Sequence, residues 1–137
     1  MKATGTKTKI FPAYTGGKPT FKKQKGAGVY FIYNKNKELE YIGFSASCLY
    51  KALYRHFQEW KDKRQQRFTY SKENSFIRII QTTPGRAALL EKYLILKFKP
   101  PGGLIKYESY TDKEKEKCKE ILTNLEVNND DLEPAPF

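Results

Sequence analysis

Residues 28–43 read GVYFIYNKNKELEYIG, and this stretch decides the fold. It holds two runs rich in β-branched and aromatic residues, 29–33 and 39–43, on either side of the polar residues 34–37. Such runs are typical of strands, and a short polar connection between two of them is typical of a β-hairpin. The sequence therefore predicts two antiparallel strands joined by a tight turn.

A helix is predicted directly after this hairpin. Ser45 and Ser47 are candidate N-caps, and the apolar residues that follow recur at helical spacing along one stripe. The stripe consists of Leu49, Ala52, Leu53, His56, Phe57 and Trp60. We expect the stripe to face the core, with Lys51, Tyr54 and Arg55 at its margins or outside it.

The rest of the chain supplies one strand and two helices. A charged stretch at 61–75 has no clear period and predicts a long basic loop, and residues 76–81 predict a third strand. Pro84 suits the first turn of a second helix that ends near Phe98, before a Pro-Pro pair, and a third helix is predicted at about 112–125. The order β, β, α, β, α, α predicts a small α/β sandwich with a three-stranded, mainly antiparallel sheet flanked by helices.

Composition limits the class of protein. The 137 residues are 39% apolar and 30% charged, which is typical of one globular domain. There is no run of eighteen apolar residues and no apolar stretch behind the basic start, so we expect neither a membrane span nor a secretory signal, and we place the protein in the cytoplasm. Two cysteines and one histidine are too few for a structural zinc site or a disulfide scaffold.

Charge is distributed unevenly along the chain. The 26 basic and 15 acidic residues give a net charge of +11. We interpret residues 1–26, with seven lysines and no acid, as a basic extended arm, residues 27–110 as the domain, and residues 111–137 as a charged helix with an acidic tail. A basic body and arm suit a phosphate backbone, although charge alone is equally compatible with solubility. Candidate DNA contacts are Lys22, Lys23, Lys25, Lys51, Arg64 and Arg67.

Glu91 lies on the buried stripe of the second predicted helix. An unpaired buried carboxylate costs several kcal/mol, so we expect it to face a basic side chain, to lie at the helix margin, or to hold a hard cation. One carboxylate can bind Mg²⁺ that keeps most of its waters and meets substrate phosphate oxygens. Tyr30, Tyr41 and His56 carry groups able to move a proton, although each is also typical of an ordinary core or strand residue.

Taken together, these residues resemble the GIY-YIG endonuclease domain. GVY at 28–30, YIG at 41–43, His56 in LYRHF and Glu91 in LLEKYLILKFKPP occur in the order of that family, over about residues 26–104. The resemblance implies a compact domain with a three-stranded antiparallel sheet that hydrolyses DNA phosphodiester bonds. It also implies one divalent metal, Mg²⁺ or Mn²⁺, on Glu91, water activation by Tyr30 or Tyr41 near His56, and an arginine of the first helix on the phosphate.

The chain departs from the family pattern at two positions. The family arginine lies four residues before the histidine, where this chain has Ala52, and an asparagine about twelve residues after the glutamate corresponds to Gly103. Arg55 is the nearest substitute for the arginine, rotated by about 60° around an ideal helix. Other candidates are Arg64, Arg67 and Arg78.

Three hypotheses therefore stay open. The first is a metal-dependent DNA endonuclease with a displaced arginine. The second is a catalytically weakened GIY-YIG fold that binds DNA or acts as an adaptor. The third is a protein-interaction domain whose basic arm contacts an acidic partner.

Overall fold

The computed structural model describes residues 7–58, 69–101 and 109–125 of the chain. The described residues form six strands and three helices, which confirms the predicted α/β class. In chain order the elements are β1 (Lys7–Pro12), β2 (Tyr14–Thr15), β3 (Lys18–Pro19), β4 (Gly28–Tyr33), β5 (Leu39–Ser45), α1 (Leu49–His56), β6 (Phe76–Gln81), α2 (Pro84–Phe98) and α3 (Asp112–Asn124).

The main sheet has four antiparallel strands in the order β1-β6-β4-β5. The predicted count of three strands was wrong, because β1 comes from the segment expected to be an extended arm. β1 pairs with β6, with Phe11 opposite Ile77, and it occupies the edge of the sheet. Its sequence KTKIFP carries lysines and a proline, which are typical of edge strands and hide the usual strand pattern.

The segment between β1 and β4 also packs onto the domain. β2 and β3 form a small hairpin, and the side chains of Ala13 and Phe21 are fully buried. The carbonyl oxygens of Gly26 and Gln24 accept hydrogen bonds from the amides of Leu49 and Tyr50, at 2.9 and 2.8 Å. This segment therefore satisfies two of the amides that the start of α1 leaves without intrahelical partners.

The two faces of the sheet carry different helices. On β4, Val29, Phe31 and Tyr33 belong to the core formed with α2 and α3, whereas Tyr30 and Ile32 belong to the core formed with α1. This division follows the period of two by which side chains alternate across a strand. Tyr30 consequently points toward α1.

The bounds of α2 agree with the sequence patterns, whereas α1 ends at His56 although its predicted stripe continued through Phe57 to Trp60, which lies outside the described residues. α2 begins at Pro84 and ends at Phe98, where Lys99 takes a left-handed conformation with φ 49° before Pro100. In α1 the N-cap is Cys48 rather than Ser45 or Ser47, although the Ser45 hydroxyl accepts a hydrogen bond from the Cys48 amide at 2.9 Å.

α3 is fixed to α2 by an ion pair. Thr111 and Glu114 form a capping box at the start of α3, and Lys92 of α2 lies 2.9 Å from the Glu114 carboxylate. Within the described ranges, no helix has the length and apolar character needed to cross a membrane.

Candidate active site

Tyr30, Tyr41 and His56 come together on the α1 side of the sheet. The Tyr30 hydroxyl lies 2.8 Å from Nε2 of His56, and the tautomer of the imidazole determines which group donates. The Tyr41 ring lies 4.5 Å from the His56 ring and stacks at 6.0 Å on the ring of Tyr30, measured between centroids. Two adjacent strands and a helix therefore place two phenols around one imidazole.

Gly43 makes room for this cluster. It is opposite Tyr30 in the β4–β5 register. A Cβ atom at position 43 would lie 2.5 Å from the Tyr30 hydroxyl oxygen and 2.8 Å from Cε1 of Tyr41. Only glycine lets the backbone come this close to the phenol, so the last residue of YIG has a steric role.

Glu91 is buried in α2, with 2% of its surface exposed, as its position on the apolar stripe predicted. α2 packs against β4 and β5, the two strands that carry the tyrosines. The pKa of Tyr30 is raised well above its ordinary value, first by burial and then by electrostatic interactions with Tyr41 and with the Glu91 carboxylate. The carboxylate thus acts directly on the electrostatics of the Tyr30 phenol.

The comparison with protein families agrees with this arrangement. The family described as GIY-YIG catalytic domain matches residues 26–108, which is more than half of the chain. The chain belongs to the GIY-YIG family. It is thereby related to the nucleases of that family, while no curated protein and no solved structure matched it.

Arg55 of the GIY-YIG domain is exposed on α1, yet its charge reaches the cluster. It lowers the pKa of Tyr30, although burial dominates and the net shift is upward. Ala52, at the position of the usual family arginine, is buried and has no polar side chain. Arg55 is thus the arginine of α1 whose charge influences the Tyr30 phenol.

Arg78 is held away from this site. It is opposite Phe31 in the β4–β6 register, so its side chain lies on the face covered by α2 and α3. Its guanidinium lies 5.7 Å from the centre of the Tyr33 ring, and 6% of the residue is exposed. The parity of the strand therefore excludes it as a direct substitute for the family arginine.

Tyr70 joins the GIY-YIG cluster although no sequence pattern pointed to it. Its amide donates a hydrogen bond to the His56 carbonyl at 2.9 Å, and its ring lies 6.1 Å from the His56 ring and 6.4 Å from that of Tyr41. Burial raises the pKa of Tyr70 to about 12. Tyr70 lies within the charged stretch at 61–75, which has no periodicity, so only its contacts with α1 in the folded structure reveal its place in the cluster.

The donor set around Glu91 fits a hard cation held by few protein ligands. In the part of the chain that is described, no group of three or more His, Cys, Asp or Glu residues is arranged to bind a metal. A single buried carboxylate matches the way Mg²⁺ binds, with one or two carboxylates, several waters and substrate phosphate. Glu91 is therefore the residue that would hold the ion.

The predicted DNA contacts divide into two groups. Lys22, Lys23, Lys25 and Lys51 are exposed, and the first three flank Gln24, whose carbonyl holds the start of α1. Arg64 and Arg67 lie outside the described residues, as do Gly103 and Trp60. Lys51 therefore lies on the helix that carries His56 and Arg55, and the other three exposed lysines lie beside the start of that helix.

Proposed function

We propose that this GIY-YIG protein is a divalent-metal-dependent endonuclease that hydrolyses phosphodiester bonds in DNA. The observation that supports this most is the Tyr30–His56 hydrogen bond of 2.8 Å, together with the buried Glu91, whose charge helps to raise the pKa of Tyr30. A carboxylate buried as deeply as that of Glu91 is costly to keep charged, and a fold alone does not require one there. Perturbed titratable groups that converge in this way are typical of catalytic sites.

In the proposed reaction, Tyr30 and His56 together accept the proton of the attacking water. The raised pKa of Tyr30 keeps its phenol protonated at neutral pH, so the phenol needs an acceptor for its own proton. Nε2 of His56, at 2.8 Å, is that acceptor, since imidazole ordinarily titrates near neutral pH. Tyr41, whose ring lies 4.5 Å from the imidazole, holds it in position.

The proposed hydrolysis forms one phosphorus–oxygen bond and breaks another. The water oxygen bonds to phosphorus as its proton passes to the Tyr30 oxygen and the Tyr30 proton passes to His56. The phosphorus–oxygen bond on the opposite side breaks, and the leaving oxygen takes a proton from solvent. A Mg²⁺ or Mn²⁺ ion on Glu91, when bound, would lower the pKa of water and offset charge on the phosphate.

Arg55 is proposed to contact the scissile phosphate. Arg55 directly precedes His56 in α1, lowers the pKa of Tyr30 and is exposed, so its guanidinium can meet a phosphate that approaches from solvent. Guanidinium groups bind phosphate oxygens with two parallel hydrogen bonds and keep their charge at all relevant pH values. Arg55 would thus take the role of the family arginine, whose position is occupied by Ala52 in this chain.

Plasmid cleavage tests this proposal. Wild-type protein should nick supercoiled DNA with Mg²⁺ or Mn²⁺ and not with EDTA, and Glu91→Gln should abolish nicking while it preserves the fold by circular dichroism. Glu120→Gln, on the exposed surface of α3, is the matched control and should cleave like wild type. Equal nicking by wild type and Glu91→Gln would refute the proposal.

The second candidate is a GIY-YIG fold that binds DNA without cutting it. Ala52 favours this candidate, because the loss of one positioned charge from a phosphoryl-transfer transition state costs on the order of 10³-fold in rate. It predicts no turnover but DNA affinity that falls steeply with salt.

Lysine variants measure the contribution of the basic segment to this affinity. If each lysine contacts one phosphate, the combined change of Lys22, Lys23 and Lys25 to alanine should reduce the salt slope by about 0.9 per contact. The control is the triple change of Lys113, Lys117 and Lys119, exposed on α3, which should leave the slope unchanged. An unchanged slope in the first variant would show that this segment does not touch DNA.

A further inference from the structure

A groove of about 380 Å³ runs along the exposed side of α1, next to the proposed active site. It combines two tyrosines, two basic residues and the hydroxyl of Ser45. The lining residues that carry the argument are Tyr50, Lys51, Tyr54 and Arg55. Since Arg55 lines the groove and is followed in α1 by His56, the groove and the cluster share this helix.

Tyr50 and Tyr54 form an aromatic platform in this groove. They are one helical turn apart, and their ring centroids lie 5.7 Å from each other at an angle of 31°. Tyr50 rests on the fully buried Phe21, with centroids 5.8 Å apart, and Tyr54 is 39% exposed. One ring is therefore held by the core, and the outer residue, Tyr54, is partly exposed to solvent.

The spacing of the rings determines how a planar ligand can bind. A base inserted between the tyrosines would need roughly 7 Å, twice the stacking distance of about 3.4 Å in DNA. The observed 5.7 Å is too short for insertion. A base can therefore add only to the exposed face of Tyr54.

The basic residues are placed to follow a nucleic-acid backbone past this platform. Lys51 and Arg55 are also one helical turn apart, and both are exposed in the same groove as the tyrosines. Alternating aromatic and basic side chains are typical of sites for unpaired nucleotides, since every base has a π-face and every nucleotide has a phosphate. Paired bases inside a duplex are already stacked on both faces and do not offer this contact.

We propose that this groove binds an unpaired nucleotide of DNA, with the base stacked on Tyr54 and the flanking phosphates on Lys51 and Arg55. The inference builds on the proposed endonuclease function, and it assigns the substrate class as DNA in which a single-stranded segment adjoins a duplex. Because stacking does not depend on base identity, recognition follows the structure of the DNA rather than its sequence.

Fluorescence anisotropy in EDTA tests this assignment without any cleavage. Three labelled probes are compared at one salt concentration: a single strand, a duplex with a single-stranded flap, and a blunt duplex. Tyr54→Ala should weaken binding of the first two by about tenfold and of the blunt duplex by less than about twofold, given the usual strength of base stacking on aromatic side chains. Tyr54→Phe keeps the ring and should bind all three like wild type.

The outcomes separate this inference from the proposed nuclease. An equal effect of Tyr54→Ala on all three probes, or none, would overturn the groove assignment even if the protein cuts plasmid DNA. Conversely, a loss confined to the probes with unpaired bases supports the groove even if Glu91→Gln and wild type show the same cleavage. Because Tyr54 is exposed, its variants should keep the fold, and circular dichroism verifies this.

Discussion

The hydroxyl of Tyr30 lies 2.8 Å from Nε2 of His56, so an inner strand of the sheet and the first helix are joined by one hydrogen bond between two titratable side chains. The bond connects residues 26 positions apart in the chain. It depends on the face of β4 from which Tyr30 projects and on the last turn of α1, where His56 lies.

Tyr30→Phe should lower the rate of DNA cleavage by about 10²- to 10⁴-fold, the usual contribution of general acid–base catalysis. It removes the oxygen that contacts His56 and leaves the ring in place. Single-turnover cleavage measures the effect, and DNA affinity should not change. Tyr33→Phe is the control, since Tyr33 projects from the same strand toward the opposite face, and a similar loss there would contradict a specific role for Tyr30.

Arg55→Ala should lower the cleavage rate by about 10³-fold, because it removes the proposed phosphate contact of the transition state. Arg55→Lys should recover only part of the rate, since an ammonium group lacks the paired donors of a guanidinium. Lys119→Ala, on the exposed side of α3, serves as the control for the loss of one positive charge. Wild-type rates in Arg55→Ala would mean that another group occupies the role of the family arginine.

Gly43→Ala should lower the free energy of unfolding by about 1–3 kcal/mol, the usual cost of forcing a methyl group into a packed site. The new methyl would meet the Tyr30 hydroxyl and the Tyr41 ring, so the cleavage rate should fall as well. Gly85→Ala is the control, since a Cβ atom there meets nothing within 4 Å. Gly85→Ala should leave the free energy of unfolding, measured with urea, unchanged or raise it by about 0.4–1 kcal/mol. Equal stability of the two variants would show that Gly43 is not sterically required.

Stability should fall in alkaline solution because of buried phenols. Burial raises the pKa of Tyr33 to about 12, although Arg78 opposes the shift, whereas a phenol in the unfolded chain titrates at about 10. The contribution of this group is therefore complete below pH 10 and is lost as the pH rises to about 12.

Across this pH range, one such group should lower the free energy of unfolding by about 1.4 kcal/mol per pH unit. Urea unfolding at several pH values between 9 and 12 measures it. Tyr33→Phe should make the decline less steep, and an identical slope in that variant would contradict the assignment.

Local patterns were sufficient for much of the fold. The hairpin of β4 and β5, the strand β6 and the bounds of α2 were predicted from runs of β-branched and aromatic residues, from Pro84 at the helix start and from the proline pair after its end. These features are decided within a few residues, so the sequence carries them directly.

Elements that depend on distant partners were not predicted. β1 is a strand because its backbone pairs with β6, more than sixty residues away, and its lysines and proline conceal this. Tyr70 reaches the cluster because its amide bonds to the carbonyl of His56. Neither contact leaves a periodic pattern in the chain.

For the site, the sequence by itself determined which residue types are present and in which order, from GVY and YIG to His56 and Glu91. Only the tertiary structure decided that the charge of Arg55 reaches Tyr30 and that Arg78 lies on the opposite face of the sheet. The physical reason is that a side chain's neighbours depend on helix rotation and strand parity relative to the whole packed core, which no local stretch of sequence specifies.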